Sequence, residues 1–92
     1  ANAVRLNKFL TDKVTILMNC GFSGMAKFLN GEIYFEKSEL ENGGPLRPKA
    51  LLDDALAQLA AWGVVALTTL GRKNVVRFSP QASAQLLRSD AG

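Results

Sequence analysis

The chain has 92 residues, 48% of them apolar and 21% charged, with a net charge of +3, a single cysteine and no histidine. A chain of this size closes one core and buries roughly two-thirds of its unfolded surface, and this one is too apolar to stay disordered. An internal disulfide, Ser/His and Cys/His nucleophile pairs and the common zinc sites are all excluded, so only carboxylate or lysine chemistry stays open.

No enzyme activity and no cofactor are therefore expected, and Cys20 reads as a buried, inert thiol. No apolar run approaches the roughly 20 residues that cross a bilayer, and the N-terminus lacks the charged-then-apolar pattern of a signal peptide, so a cytoplasmic location is expected. The chain opens at Ala1 without a methionine, as a processed protein or a domain of a longer one does. Charge is unevenly spread. Residues 1–31 carry an excess of cations, residues 32–41 an excess of acids, and residues 63–89 hold Arg72, Lys73, Arg77 and Arg88 with no acid. Such clustering is a moderate polyanion signal.

In chain order, Leu6, Leu10, Val14 and Leu17 fall on one face of a helix over 2–18, with Asn2 as N-cap, Phe9 and Ile16 widening the face and Asn19-Cys20-Gly21 ending it. Two placements of this face stay open, against its own domain or against a second copy in a homodimer. Ser23 is expected to cap a short helix through Met25, Ala26, Phe28 and Leu29, stopped by Asn30-Gly31. Residues 32–36 read as a short strand, with Ile33 and Phe35 on one side. Ser38 should cap a brief helix with acids in its first turn, broken by Asn42-Gly43-Gly44-Pro45. Pro48 opens a long helix whose core face is Leu52, Leu56 and Leu59 with Ala55 and Ala60, and Gly63 ends it. Residues 64–70 and 75–78 form a hairpin around Gly71-Arg72-Lys73-Asn74, with Val65, Leu67, Val76 and Phe78 facing inward. Ser79-Pro80 starts a last helix over 81–89, with Ala82, Leu86 and Leu87 on its packing face.

Three stretches carry a resemblance: Phe28-Leu29-Asn30-Gly31-Glu32, Lys37-Ser38-Glu39-Leu40, and Leu59-Ala60-Ala61-Trp62-Gly63-Val64-Val65 leading into the hairpin. In that order residues 24–80 resemble the winged-helix superfamily, with no motif that singles out a subfamily. Two features depart from the pattern, a loose turn over 42–47 and an additional N-terminal helix. The expected fold is α+β: a winged helix-turn-helix with a small antiparallel sheet, made of the short strand plus the C-terminal hairpin. One domain over 1–92 is expected, with the added helix at 2–18, the winged-helix core at 24–80 and a short helix at 81–89.

The resemblance implies duplex DNA binding, with the long helix at the major groove and the hairpin as the wing. Arg47 and Lys49 at the start of the long helix would then meet phosphates or base edges, Arg72 and Lys73 at the wing would take phosphates or the minor groove, and Gln58 is a further candidate for a base edge. A transcriptional regulator or a replication or partition-type protein fits that reading. The alternative is a winged-helix interaction module, a subunit of a larger complex with no nucleic acid contact. It draws support from the acids Asp53 and Asp54 and the alanines Ala57 and Ala61 on the outward face of the long helix. Arg72 and Lys73 can also serve only to solvate a hairpin tip. Trp62 and Tyr34 could stack on bases, but a tryptophan ending an amphipathic helix more often packs. Gly43-Gly44 follows no strand and lacks the lysine and serine of a phosphate loop.

Overall fold

The computed structural model describes residues 2–21, 24–46 and 48–91, with the side chains of 87–91 left aside. Helix α1 spans Asn2–Cys20, and its apolar spacing of three and four residues places Ala3, Leu6, Leu10, Val14 and Leu17 on one buried stripe. Gly21 at φ 74 stops it, donating its N–H to the Leu17 carbonyl at 2.8 Å in a left-handed cap that a residue with a Cβ would strain.

The stripe decides between the two placements left open for this helix. Leu6 and Leu10 are fully buried, and Val14 and Leu17 nearly so, within the chain's own core. The face that a second copy would have used, Leu6, Leu10, Val14 and Leu17, is thus occupied by the home domain. Phe9 packs at the margin of that core with Lys13 over its ring, whereas Ile16 points to solvent. Cys20 is also exposed, against the expectation of a buried thiol, because it ends the helix beyond the last buried turn.

Residues 24–30, expected as a helix, contain strand β1 (Lys27–Leu29), which runs antiparallel to β2 (Glu32–Glu36) with Leu29 paired to Glu32. Asn30 and Gly31 form the two-residue connection at φ 53 and 79. Two consecutive positive φ values are the mark of a type I′ hairpin turn, whose twist matches that of the flanking strands. Asn-Gly ends helices as well as turning hairpins, and here the tight turn wins because β2 needs a neighbour. The expected cap Ser23 lies outside the described residues.

The last residue of β2, Glu36, precedes α2 (Lys37–Gly43) directly and occupies its N-cap position, so Ser38 is not the cap. Helix α3 covers Lys49–Ala61, with Pro48 one place earlier than expected, at the N-cap, where its carbonyl accepts from Leu51 and Leu52. At its other end Val64 N–H reaches the Leu59 carbonyl and Gly63 N–H the Ala60 carbonyl, a paired cap in which Gly63 at φ 79 supplies the left-handed residue. Val64 and Leu59 are both buried behind it. Trp62 lies just before the stop and is 48% exposed, so it is only half packed.

Strands β3 (Val65–Leu70) and β4 (Lys73–Phe78) form the wing hairpin, and the sheet order is β1-β2-β4-β3, four strands where a short strand and a hairpin were expected. Leu70 pairs with Lys73, so the turn is only Gly71-Arg72, with Gly71 at φ 65. Lys73 and Asn74 belong to the strand. Phe35 of β2 and Phe78 of β4 meet edge-to-face at 6.0 Å in the core, a favoured arrangement of ring quadrupoles. Leu67 departs from the expected inward pattern at 54% exposure, because it sits on the outermost strand beyond the helices.

Helix α4 (Pro80–Ala91) starts as expected from Ser79-Pro80, with the Ser79 hydroxyl accepting from Ala82 N–H at 3.4 Å. It docks on α1 through a buried polar contact. Ser83 Oγ donates to Asn7 Oδ1 at 2.7 Å, Asn7 Nδ2 donates to the Ser83 carbonyl at 3.4 Å, and Thr11 Oγ1 lies 2.6 Å from Ser83 Oγ. Asn7 and Ser83 are the two buried polar residues among those described, and each satisfies the other.

Candidate nucleic-acid interface

The sheet register carries cations from three elements to one place. Glu36 ends β2 opposite Val75 of β4, so Lys73, two residues earlier at the start of β4, lies diagonal to Glu36 beside the start of α2. A recess of about 300 Å³ opens there, lined by Lys37, Ser38 and Glu41 of α2, Lys49 of α3, and Arg72, Lys73 and Asn74 of the wing. Four cations face one acid. Lys49, Arg72 and Lys73, read from the sequence as separate contacts, share this surface.

The ion pairs sort these cations. Lys73 Nζ sits 2.9 Å from Glu36 Oε1, while Lys27 approaches the other oxygen of the same carboxylate at 3.7 Å and also pairs with Glu39. The Lys73 hydrogen bond, helped by the two positive charges and opposed by partial burial, holds the Glu36 carboxyl below its ordinary pKa; reciprocally, that hydrogen bond raises Lys73. Lys37 Nζ contacts Asp53 Oδ1 at 2.9 Å, tying α2 to α3. Among the described residues, Lys49 and Arg72 make no ion pair and present their full charge to solvent.

Gln58 is not part of this surface. It is exposed on α3, about 13 Å along the axis from Lys49 and half a turn round the helix. The outward face between them carries Ala50, Asp54, Ala57 and Ala61, all exposed, while Asp53 is half-buried in its pair with Lys37. Of the two acids read from the sequence as repelling a polyanion, only Asp54 is left uncompensated. Arg47 lies outside the described residues. Trp62 and Tyr34 line no common cavity: Tyr34 sits on the outer sheet face in a groove with Leu29, Leu70 and Val75.

Sequence reasoning missed Lys37. It sits among four acids in a segment of net negative charge, and the only signal that could have found it was the pairing of β2 with β4. Arg77, in the acid-free stretch, pairs with Glu32 on the outer sheet face and stands apart from the recess.

Chemically, the recess offers ammonium and guanidinium donors, a serine hydroxyl and an asparagine amide, a set suited to phosphate oxygens. Four helices with a four-stranded antiparallel sheet that ends in a hairpin wing make this a winged helix with an N-terminal helix. The family model described as the YfjI-like C-terminal winged helix domain matches residues 1–77, and the chain belongs to that family. The match includes α1, consistent with its place in the core, and ends within β4. No curated protein and no solved structure matches the chain significantly. The winged helix is typically a non-enzymatic fold, and membership is consistent with DNA binding in general. Among the described residues no helix is long and apolar enough to cross a membrane.

Proposed function

We propose that this domain binds duplex DNA in the cytoplasm by clamping backbone phosphates between the start of α3 and the wing. The supporting observation is the convergence of Lys37, Lys49, Arg72 and Lys73 on one recess. Arg47, two residues before Lys49 in the sequence, remains a further candidate for a phosphate contact. Phosphate contacts position a protein without reading sequence, and the alanine-rich outward face of α3 offers few groups to base edges. Sequence preference is accordingly weak. The family's description as a C-terminal domain fits a module that holds DNA for the rest of a longer protein, in transcription, replication or partition.

A fluorescence titration of a mixed-sequence duplex at stepped salt tests this. Neutralising four phosphates gives a slope of log K against log salt of about −3.6, and Arg72→Ala with Lys73→Ala flattens it by about 1.8. Gln58→Ala leaves it unchanged. Absence of binding at low salt, or a slope indifferent to the wing double variant, overturns the reading.

One observation favours a second reading, a protein-interaction module: α3 turns Leu51, Ala57, Ala61 and Trp62 to solvent, small and apolar groups that suit close packing better than phosphate. Absence of DNA binding at low salt selects it.

A further inference from the structure

The two edges of the sheet differ. β1 is three residues long and its Lys27 is held in ion pairs, two features that discourage strand addition. β3 is six residues long, reads Val-Ala-Leu-Thr-Thr-Leu without a charge or a proline, and is exposed from Ala66 to Leu70. Among the described residues no strand lies beyond it.

The register shows which backbone groups this edge offers. Ser79 N–H donates to the Val64 carbonyl at 2.8 Å, in line with the Val65 to Phe78 pairing. Hydrogen-bonded and non-hydrogen-bonded pairs alternate in an antiparallel ladder. Ala66, Thr68 and Leu70 therefore bond to β4, while Val65, Leu67 and Thr69 turn their N–H and C=O outward.

We propose that β3 is a homodimerisation edge, pairing antiparallel with β3 of a second copy about a two-fold axis through Leu67. A two-fold perpendicular to the sheet keeps each inner face on the same side, which restricts the register to pairs of equal parity. Placing Leu67 opposite its own counterpart sets Val65 against Thr69 and uses every outward group of these three residues. Sliding the centre to Thr68 leaves Val65 without a strand partner. The chosen register also packs the two Leu67 side chains, each 54% exposed in the single chain, against one another.

Charge favours a like copy as the occupant. A charged edge repels itself across a two-fold, and β3 carries none. The nearest cations, the two Arg72, then lie at opposite ends of the joint sheet, on the order of 30 Å apart, well beyond the screening length of about 8 Å at physiological salt. This dimer is independent of α1, whose apolar face is spent inside the domain.

Sedimentation velocity in a Cys20→Ser background, which removes the exposed thiol, tests the proposal. The mass should rise from 9.9 kDa toward twice that as concentration increases. Leu67→Lys, which sets two ammonium groups across the axis, should hold the protein at monomer mass. Thr69→Pro removes an outward N–H that the monomer does not use and should do the same, with thermal melts confirming that both stay folded. Leu67→Cys should form an intermolecular disulfide on mild oxidation, because an opposed hydrogen-bonded pair has Cα atoms about 5.5 Å apart. Thr69→Cys should not, its counterpart lying about 13 Å along the strands. Monomer mass up to about 1 mM, where a complex retains only about 4 kcal/mol, overturns the proposal. So does a dimer indifferent to Leu67→Lys, or one joined by another partner strand with Leu67→Cys left uncross-linked.

Discussion

Replacing Ser83, a residue only 2% exposed, by alanine removes a hydroxyl that donates to Asn7 Oδ1 at 2.7 Å. Asn7 is fully buried, and its remaining bond, to the Ser83 carbonyl, is long at 3.4 Å. The variant thus loses a hydrogen bond worth about 1 kcal/mol net and strands a buried amide oxygen, so the whole change costs about 1–3 kcal/mol. For a domain of this size each kcal/mol lowers Tm by about 4–8 °C. Asn7→Leu alone leaves the Ser83 hydroxyl without its amide acceptor and costs a similar amount. In the double variant neither orphan is left, and most of the two penalties should cancel, giving a coupling energy of about 1–2 kcal/mol. Urea unfolding of the four proteins at matched m-value measures the cycle. A Ser83→Ala loss under about 0.5 kcal/mol, or additive singles, would refute the claim that this pair fastens α4 to α1.

Two further perturbations probe other joints. Glu36 is ionised below the ordinary carboxylate range because Lys73 donates to it, so its stabilising contribution is complete above that range and lost as pH falls through the lowered folded value; the Lys73 contribution is complete below the ordinary lysine range and lost above it. A carboxyl-carbon NMR titration should show a midpoint below that of a reference glutamate, restored by Lys73→Met, and an ordinary midpoint in the parent contradicts the pairing. Gly44→Ala puts a Cβ 2.4 Å from the Leu40 carbonyl oxygen, a backbone atom that cannot step aside, and should cost about 1–3 kcal/mol in denaturant melts. Gly43→Ala meets only the flexible end of Met25, so a comparable loss there means the close approach is not the cause.

The elements written in local spacing were legible from the chain. Leu6, Leu10, Val14 and Leu17 mark α1, Leu52, Leu56 and Leu59 mark α3, and Gly21, Gly63 and Ser79-Pro80 punctuate them, because helical period and left-handed caps are decided within a few residues. Residues 24–30 were misread for the same reason. Asn30-Gly31 stops a helix and turns a hairpin equally well, and only pairing with β2, itself held by β4, selects the strand.

The candidate site divides along the same line. The sequence by itself determined that Lys49, Arg72 and Lys73 are cations at a helix start and a hairpin end. Tertiary structure alone decided that they share a recess with Lys37, that Lys73 is tied to Glu36, and that Gln58 stands away. It also spent the face of α1 on the core and joined Asn7 to Ser83 across 76 residues. The physical reason is that periodicity and capping are short-range, whereas charge pairing and burial depend on which distant residues the sheet register brings within a few ångströms.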